Sequence, residues 1–178
     1  MKTKSLSFAD VWKKSLLTAI TVTVAVALPW LCHLLGGALG LGTGLGEALL
    51  PMHLPVMLAG MFGGSVVGLV CGVASPLISA ALTGMPLPAM LPFMMVVLAG
   101  YGLTAGLLRR NRWPSFINVL LVQVAGRLAR AVALAVAVYG FGFDRLPISL
   151  IWTSIAVGLA GILIQWAVLP FAWRRVGQ

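Results

Sequence analysis

The chain has 178 residues, of which 61% are hydrophobic and 8% charged, with a net charge of +9 and a mean hydropathy of +1.08. A soluble domain carries about a quarter charged residues, so the composition excludes an ordinary water-soluble fold and predicts one all-α integral membrane domain over 1–178. Nucleic acid is not an expected partner, because the basic residues are few and clustered and no zinc-ligand spacing or other nucleic-acid module is present.

Residues 1–14, with Lys2, Lys4, Lys13 and Lys14, read as a basic amphipathic start on the cytoplasmic membrane surface. The apolar run that follows is too long for a secretory h-region and lacks a small-residue cleavage site, so no signal peptide is expected. A spanning helix needs about 20 apolar residues, because the hydrocarbon layer is about 30 Å thick and each residue rises about 1.5 Å. The first span is predicted at about 15–35. GGALGLGTGLGEALLP, 36–51, reads as a Gly-rich outer loop. Two short spans follow at about 52–63 and 65–83, with Gly63-Gly64 at the turn between them. The fourth is predicted at about 89–108 and ends in RRNRWP, the fifth covers about 115–142, DRLP breaks the chain, and the sixth covers about 149–172.

Positively charged loops stay on the cytoplasmic side. With a cytoplasmic N-terminus, six crossings put Lys2, Lys4, Lys13, Lys14, Arg109, Arg110, Arg112, Arg174 and Arg175 inside, nine of the twelve basic residues, and both termini are then cytoplasmic. Arg145 falls outside, while Arg127 and Arg130 stay within the fifth span.

Small residues recur every fourth position in two places. Ser15, Ala19, Thr23 and Ala27 do so on the first span; Gly60, Gly64, Gly68, Gly72, Pro76, Ala80 and Gly84 do so across the second and third. Such spacing keeps them on one face and lets helix backbones approach closely in lipid. The glycine ladder predicts packing within the bundle. The first-span ladder fits either internal packing or an external docking face.

Arg127 and Arg130 are three apart and share a helix face, with Gln123 one turn before. Arg127 lies about 18 Å along the helix from Ser115, too deep to reach the inner surface with ease. A charge near the bilayer centre costs about 2.5–3.5 kcal/mol, so it must face a cavity, a counter-ion or a ligand. The three acids, Asp10, Glu47 and Asp144, lie outside the predicted spans. A guanidinium fork suits a carboxylate or phosphate on a small molecule. Contact with Asp144 or with backbone carbonyls is the alternative. PMHLP, 51–55, frames His53 with two prolines at the outer start of the second span, where irregular backbone is tolerated if it lines a cavity. LTGMPLPAMLP, 82–92, is a structured outer loop that, with 36–51, can cover an outward-opening pocket; Met85, Met90, Met94 and Met95 cluster there. Cys32 and Cys71 read as buried small hydrophobes, and with His33 they form no metal-ligand spacing. No nucleotide-binding loop, HExxH or GxSxG is present. An acid–base pair of His53 and Glu47 is the thin enzymatic alternative, and the expectation is that the chain is not an enzyme.

MHLPVMLAG, GGSVVGLVCGVASPLISAALTGMP, LPFMMVVLAGYGLTAGLLRR and AGRLAR together resemble the substrate-binding S component of energy-coupling factor vitamin transporters, over about residues 50–131. The resemblance implies a multi-pass protein of a prokaryotic plasma membrane that captures a water-soluble vitamin or precursor from the outer side. It also implies docking on a coupling transmembrane subunit driven by two ATPase subunits, which use the ATP, so that this chain binds no cofactor itself. Docking would use Ala19, Thr23 and Ala27. Substrate would meet Arg127, Arg130, His53, Gln123, Glu47 and Thr83, with Tyr101 and Asn118 as further polar candidates. Relatives often carry an acid in the stretch matching MMVVLAGYG, where this chain has Val96 and Val97. Pantothenate-like carboxylates fit two arginines; a corrinoid, bound by a solitary cobalamin-type S component, is the other expectation. A structural or assembly protein packing through its Gly and Ala ladders is the competing class.

Overall fold

Nothing in 8–38 stops a helix: the run is apolar, and its one proline, Pro29, is followed by continued helical backbone. In the computed structural model, which describes residues 8–140 and 156–176, helix α1 accordingly spans Phe8–Ala38 as one element. It absorbs residues 8–14, so the described part of the predicted surface segment is instead the first two turns of a long helix. Lys2, Lys4, the DRLP break with Asp144 and Arg145, and the start of the predicted sixth span lie outside the described residues.

The predicted 36–51 loop is corrected by the structure. After a turn through Gly40 and Gly42, both at positive φ, Gly44–Leu49 forms a short helix, α2. It ends at Leu50, whose φ of 48° puts a non-glycine residue in the left-handed region, a conformation that costs about 1 kcal/mol. Helix α3, His53–Gly63, follows at once. The predicted second span was short because it omitted α2; Gly44–Gly63 together give 20 residues, enough to cross a bilayer. Gly64, at φ 94°, makes the turn into α4, Ser65–Thr83, which Gly84 closes with φ 72°. Helices α5, Leu91–Leu108, and α6, Ser115–Ala135, lie close to prediction, and α6 continues through a π-helical turn at Val136–Gly140. The last described helix, α7, spans Leu159–Val176.

The described residues are helical with no strand. Five stretches, Phe8–Ala38, Gly44–Gly63, Ser65–Thr83, Leu91–Leu108 and Ser115–Gly140, are long and apolar enough to cross a membrane. Large apolar side chains cover much of the outside, among them Leu16, Ile20, Val66, Leu107, Leu128, Val132 and Leu163. In water such a surface would aggregate; in lipid it is solvated.

Lipid tails are as apolar as leucine, so helices associate there by close packing. The glycines supply it. A Cβ on Gly60 or Gly68 would run into the carbonyl of Gly102, one on Gly72 would stand 2.5 Å from Leu98 backbone, and one on Gly106 would meet Ser65 backbone. Helices α3, α4 and α5 thus touch backbone to backbone. Around this crossing sit two apolar clusters. One joins Met57, Met61, Val97, Tyr101 and Ala105 to Val119, Val122, Leu169 and Trp173; the other joins Val22 and Ala25 to Val56, Ala59, Val67, Cys71 and Leu98.

Apart from Arg127 and Arg130, the described basic residues gather at one end of the bundle. Leu17 packs beside Gly63 and Arg109 lies over Gly64, which brings Lys13, Lys14 and Arg109–Arg112 to one end. Leu108 and Val176 pack on the Trp173 cluster, which adds Arg174 and Arg175 to that same end. The C-terminal half of α1, α2, the start of α3, the end of α4 and the start of α5 occupy the opposite end.

Candidate functional site

Those elements enclose a cavity of about 770 Å³ at the end away from the basic loops. Its walls are mostly apolar. α1 supplies Pro29, Trp30 and Leu34, the 84–90 turn supplies Met85 and Leu87, and α5 supplies Phe93, Met94 and Val97. Polar groups are few: His33, Thr43, Glu47, His53, Ser79, Thr83 and Arg130.

Four of the residues singled out from sequence, Glu47, His53, Thr83 and Arg130, line this cavity. Two more stand just behind it. Arg127 and Tyr101 join Arg130, His53, Leu50 and Val97 around an adjoining niche of about 20 Å³. Because α6 runs toward the cavity end, Arg127 is one turn deeper than Arg130.

Gly126 sets this corner. A Cβ there would stand 2.6 Å from Tyr101 Cζ, so only glycine lets the Tyr101 ring lie against α6. Tyr101 in turn meets His53 edge to face, with centroids 5.2 Å apart at 72°. The His53 backbone N–H donates to the Leu50 carbonyl at 3.1 Å, which ties the start of α3 to the left-handed turn ending α2. His53 Nδ1 and Arg130 Nε are buried and have no hydrogen-bond partner among the described residues. Buried polar atoms are normally satisfied, and these two lie on the cavity, where a ligand or water can meet them.

Glu47 is exposed at the rim and its carboxylate accepts a hydrogen bond from Thr43 Oγ1 at 3.0 Å. Thr83 Oγ1 donates to the Ser79 carbonyl at 2.8 Å, capping the last turn of α4.

Gln123 and Asn118 do not reach the cavity. Gln123 Nε2 donates to Gln165 Oε1 at 3.0 Å, and its own Oε1 accepts from Trp166 Nε1, so it fastens α6 to α7. Asn118 is fully buried near the basic end, where Nδ2 donates to the Trp113 carbonyl at 3.2 Å. Ala19, Thr23 and Ala27 are all exposed on α1, and Thr23 Oγ1 donates internally to the Ala19 carbonyl at 3.0 Å.

From sequence alone His33 is a candidate only as a metal ligand beside Cys32. Its ring packs on the α2 backbone, with Cε1 2.6 Å from where a Gly46 Cβ would stand, and its Nδ1 is buried without a partner among the described residues. The sequence signal was available: Pro29, Trp30 and His33 are three and four apart, a polar and aromatic stripe on an otherwise apolar helix. Among the described residues no three of His, Cys, Asp and Glu come together to hold a metal ion.

Comparison of the chain with protein-family models, with curated proteins and with solved structures finds no match.

Proposed function

We propose that the chain is the substrate-binding S component of an energy-coupling factor transporter, capturing a water-soluble vitamin or precursor without enzymatic activity. The observation that carries this reading is the cavity of about 770 Å³ at the end opposite the basic loops, with Arg130 and His53 reaching into it. Ligand sites of drug-sized molecules fall at about 300–1,000 Å³ and are mostly apolar with a few placed polar groups. That size favours a compact vitamin over a corrinoid. On the positive-inside rule the basic end is cytoplasmic, and the cavity then faces outward in the plasma membrane of a prokaryote. Six crossings, with the last built on α7, put both termini inside. The exposed Ala19, Thr23 and Ala27 support docking of α1 on a coupling transmembrane subunit, with two ATPase subunits hydrolysing ATP.

Thermal unfolding of the detergent-purified chain against a panel of vitamins tests the reading, because a ligand of the native state raises the apparent Tm. One compound is expected to raise it without ATP. Arg130→Ala is expected to weaken that compound by about 30-fold or more, the effect of removing one partner of a buried charged hydrogen bond. A chain that co-purifies with a stable protein partner, carries no small molecule and responds to no compound is instead an assembly protein.

A further inference from the structure

The cavity has two compartments of different chemistry. The main one is walled by Trp30, Leu34, Phe93, Met85 and Met94. The inner niche, about 20 Å³, has room for roughly one water-sized group. Its polar lining is Arg127, Arg130, His53 and Tyr101. Two guanidinium groups and a phenol are donors, and the imidazole donates from whichever nitrogen carries its proton. Among the described residues the one acid on the main cavity, Glu47, is exposed at the rim and held by Thr43.

Two cations converging within an apolar bundle call for an anion. Arg130 Nε is buried and unpartnered among the described residues, so its N–H is free for an acceptor. In any arginine the Nε–H lies beside an Nη–H, a pair of parallel donors matched to the two oxygens of a carboxylate. The niche is too small for a second charged group, and the walls beyond it offer an apolar surface.

We infer that the ligand is an amphipathic organic monoacid whose carboxylate sits at the mouth of the niche against Arg130 and His53, one oxygen entering toward Arg127 and Tyr101, its apolar body lying along the Trp30, Phe93 and methionine wall. The inference rests on the reading of the chain as a capture protein. Tyr101 is a positioning residue within it, holding His53 edge-on, and Gly126 makes the room.

The test uses the full chain in detergent at fixed ionic strength. Thermal shift is measured with medium-chain and phenyl-substituted monocarboxylates, each beside its primary amide, its amine and the matching dicarboxylate, with sodium chloride as a control. The acids are expected to bind about 10- to 100-fold more tightly than their amides, the worth of charge-assisted hydrogen bonds. Arg130→Gln is expected to erase that difference. The acid-to-amide comparison in the unaltered chain stands even if the variant does not fold. Amides or amines equal to the acids, tighter dicarboxylates, or stabilisation by chloride alone overturns the inference. Native mass spectrometry separates this from the reading beneath it. A co-purified neutral or cationic small molecule sinks the monoacid and leaves the capture role. If no small molecule co-purifies and nothing in the panel shifts Tm, both fall.

Discussion

Two ladders of small residues share one period and meet opposite fates. On α3 and α4, Gly60, Gly68 and Gly72 press against the backbone of α5. On α1, Ser15, Ala19, Thr23 and Ala27 are all exposed. The most apolar window of α1 is 11% buried, whereas that of Gly44–Gly63 is 50% buried. Periodicity makes a smooth face in both cases; the residue type decides what can lie on it. Glycine admits a backbone, and a backbone of the same chain fills the space. Alanine and threonine leave a shallower surface that the described residues do not cover.

The sharpest way to break the contrast is to put the same bulk on both faces. Gly68→Leu and Gly102→Leu are expected to destabilise the bundle by about 3 kcal/mol or more, because the clash is with backbone that cannot move aside. Ala19→Leu and Thr23→Leu are expected to shift stability by less than about 0.5 kcal/mol. Thermal unfolding of the four variants in one detergent compares them directly, and equal losses would erase the distinction. Next in size, Gly126→Ala displaces the Tyr101 ring and is expected to cost about 1–3 kcal/mol, with weaker ligand-induced stabilisation than the parent chain. Gln123→Leu leaves Gln165 and Trp166 without their partner and is expected to cost about 1–2 kcal/mol, read as a lower Tm. The smallest effect is the finest test. A Cβ at Gly36 would meet the Gly42 carbonyl, while one at Gly37 meets nothing. Gly37→Ala is therefore expected to stabilise by about 0.5 kcal/mol, while Gly36→Ala, its neighbour, lowers Tm.

The helices were legible because a run of about 20 apolar residues has few alternatives in lipid. Arg127, Arg130 and His53 were legible for a related reason: polar groups within such runs are costly and must face something. α2 was hidden because Gly44 and Gly46 lower helix propensity and read as a linker. Only the packing of His33 on Gly46 shows why the glycine is there. Gln123 shares a face with Arg127 in sequence, yet the bond from Trp166 draws it to α7, and spacing along one helix says nothing of what a second helix offers. The outward orientation of the α1 ladder depended on tertiary contacts in the same way.

The length of α1 ties the protein to the thickness of its bilayer. Thirty-one residues at about 1.5 Å each make a rod of about 46 Å, against an oily layer of about 30 Å. The excess is taken up by tilt or by protrusion. Trp12, Lys13 and Lys14 near one end are exposed and of the residue types that anchor helices at headgroups. A thicker membrane stands this rod more upright and a thinner one lays it over, turning the Ala19–Thr23–Ala27 face with it. Lipid chain length thereby bears on the direction in which that face points.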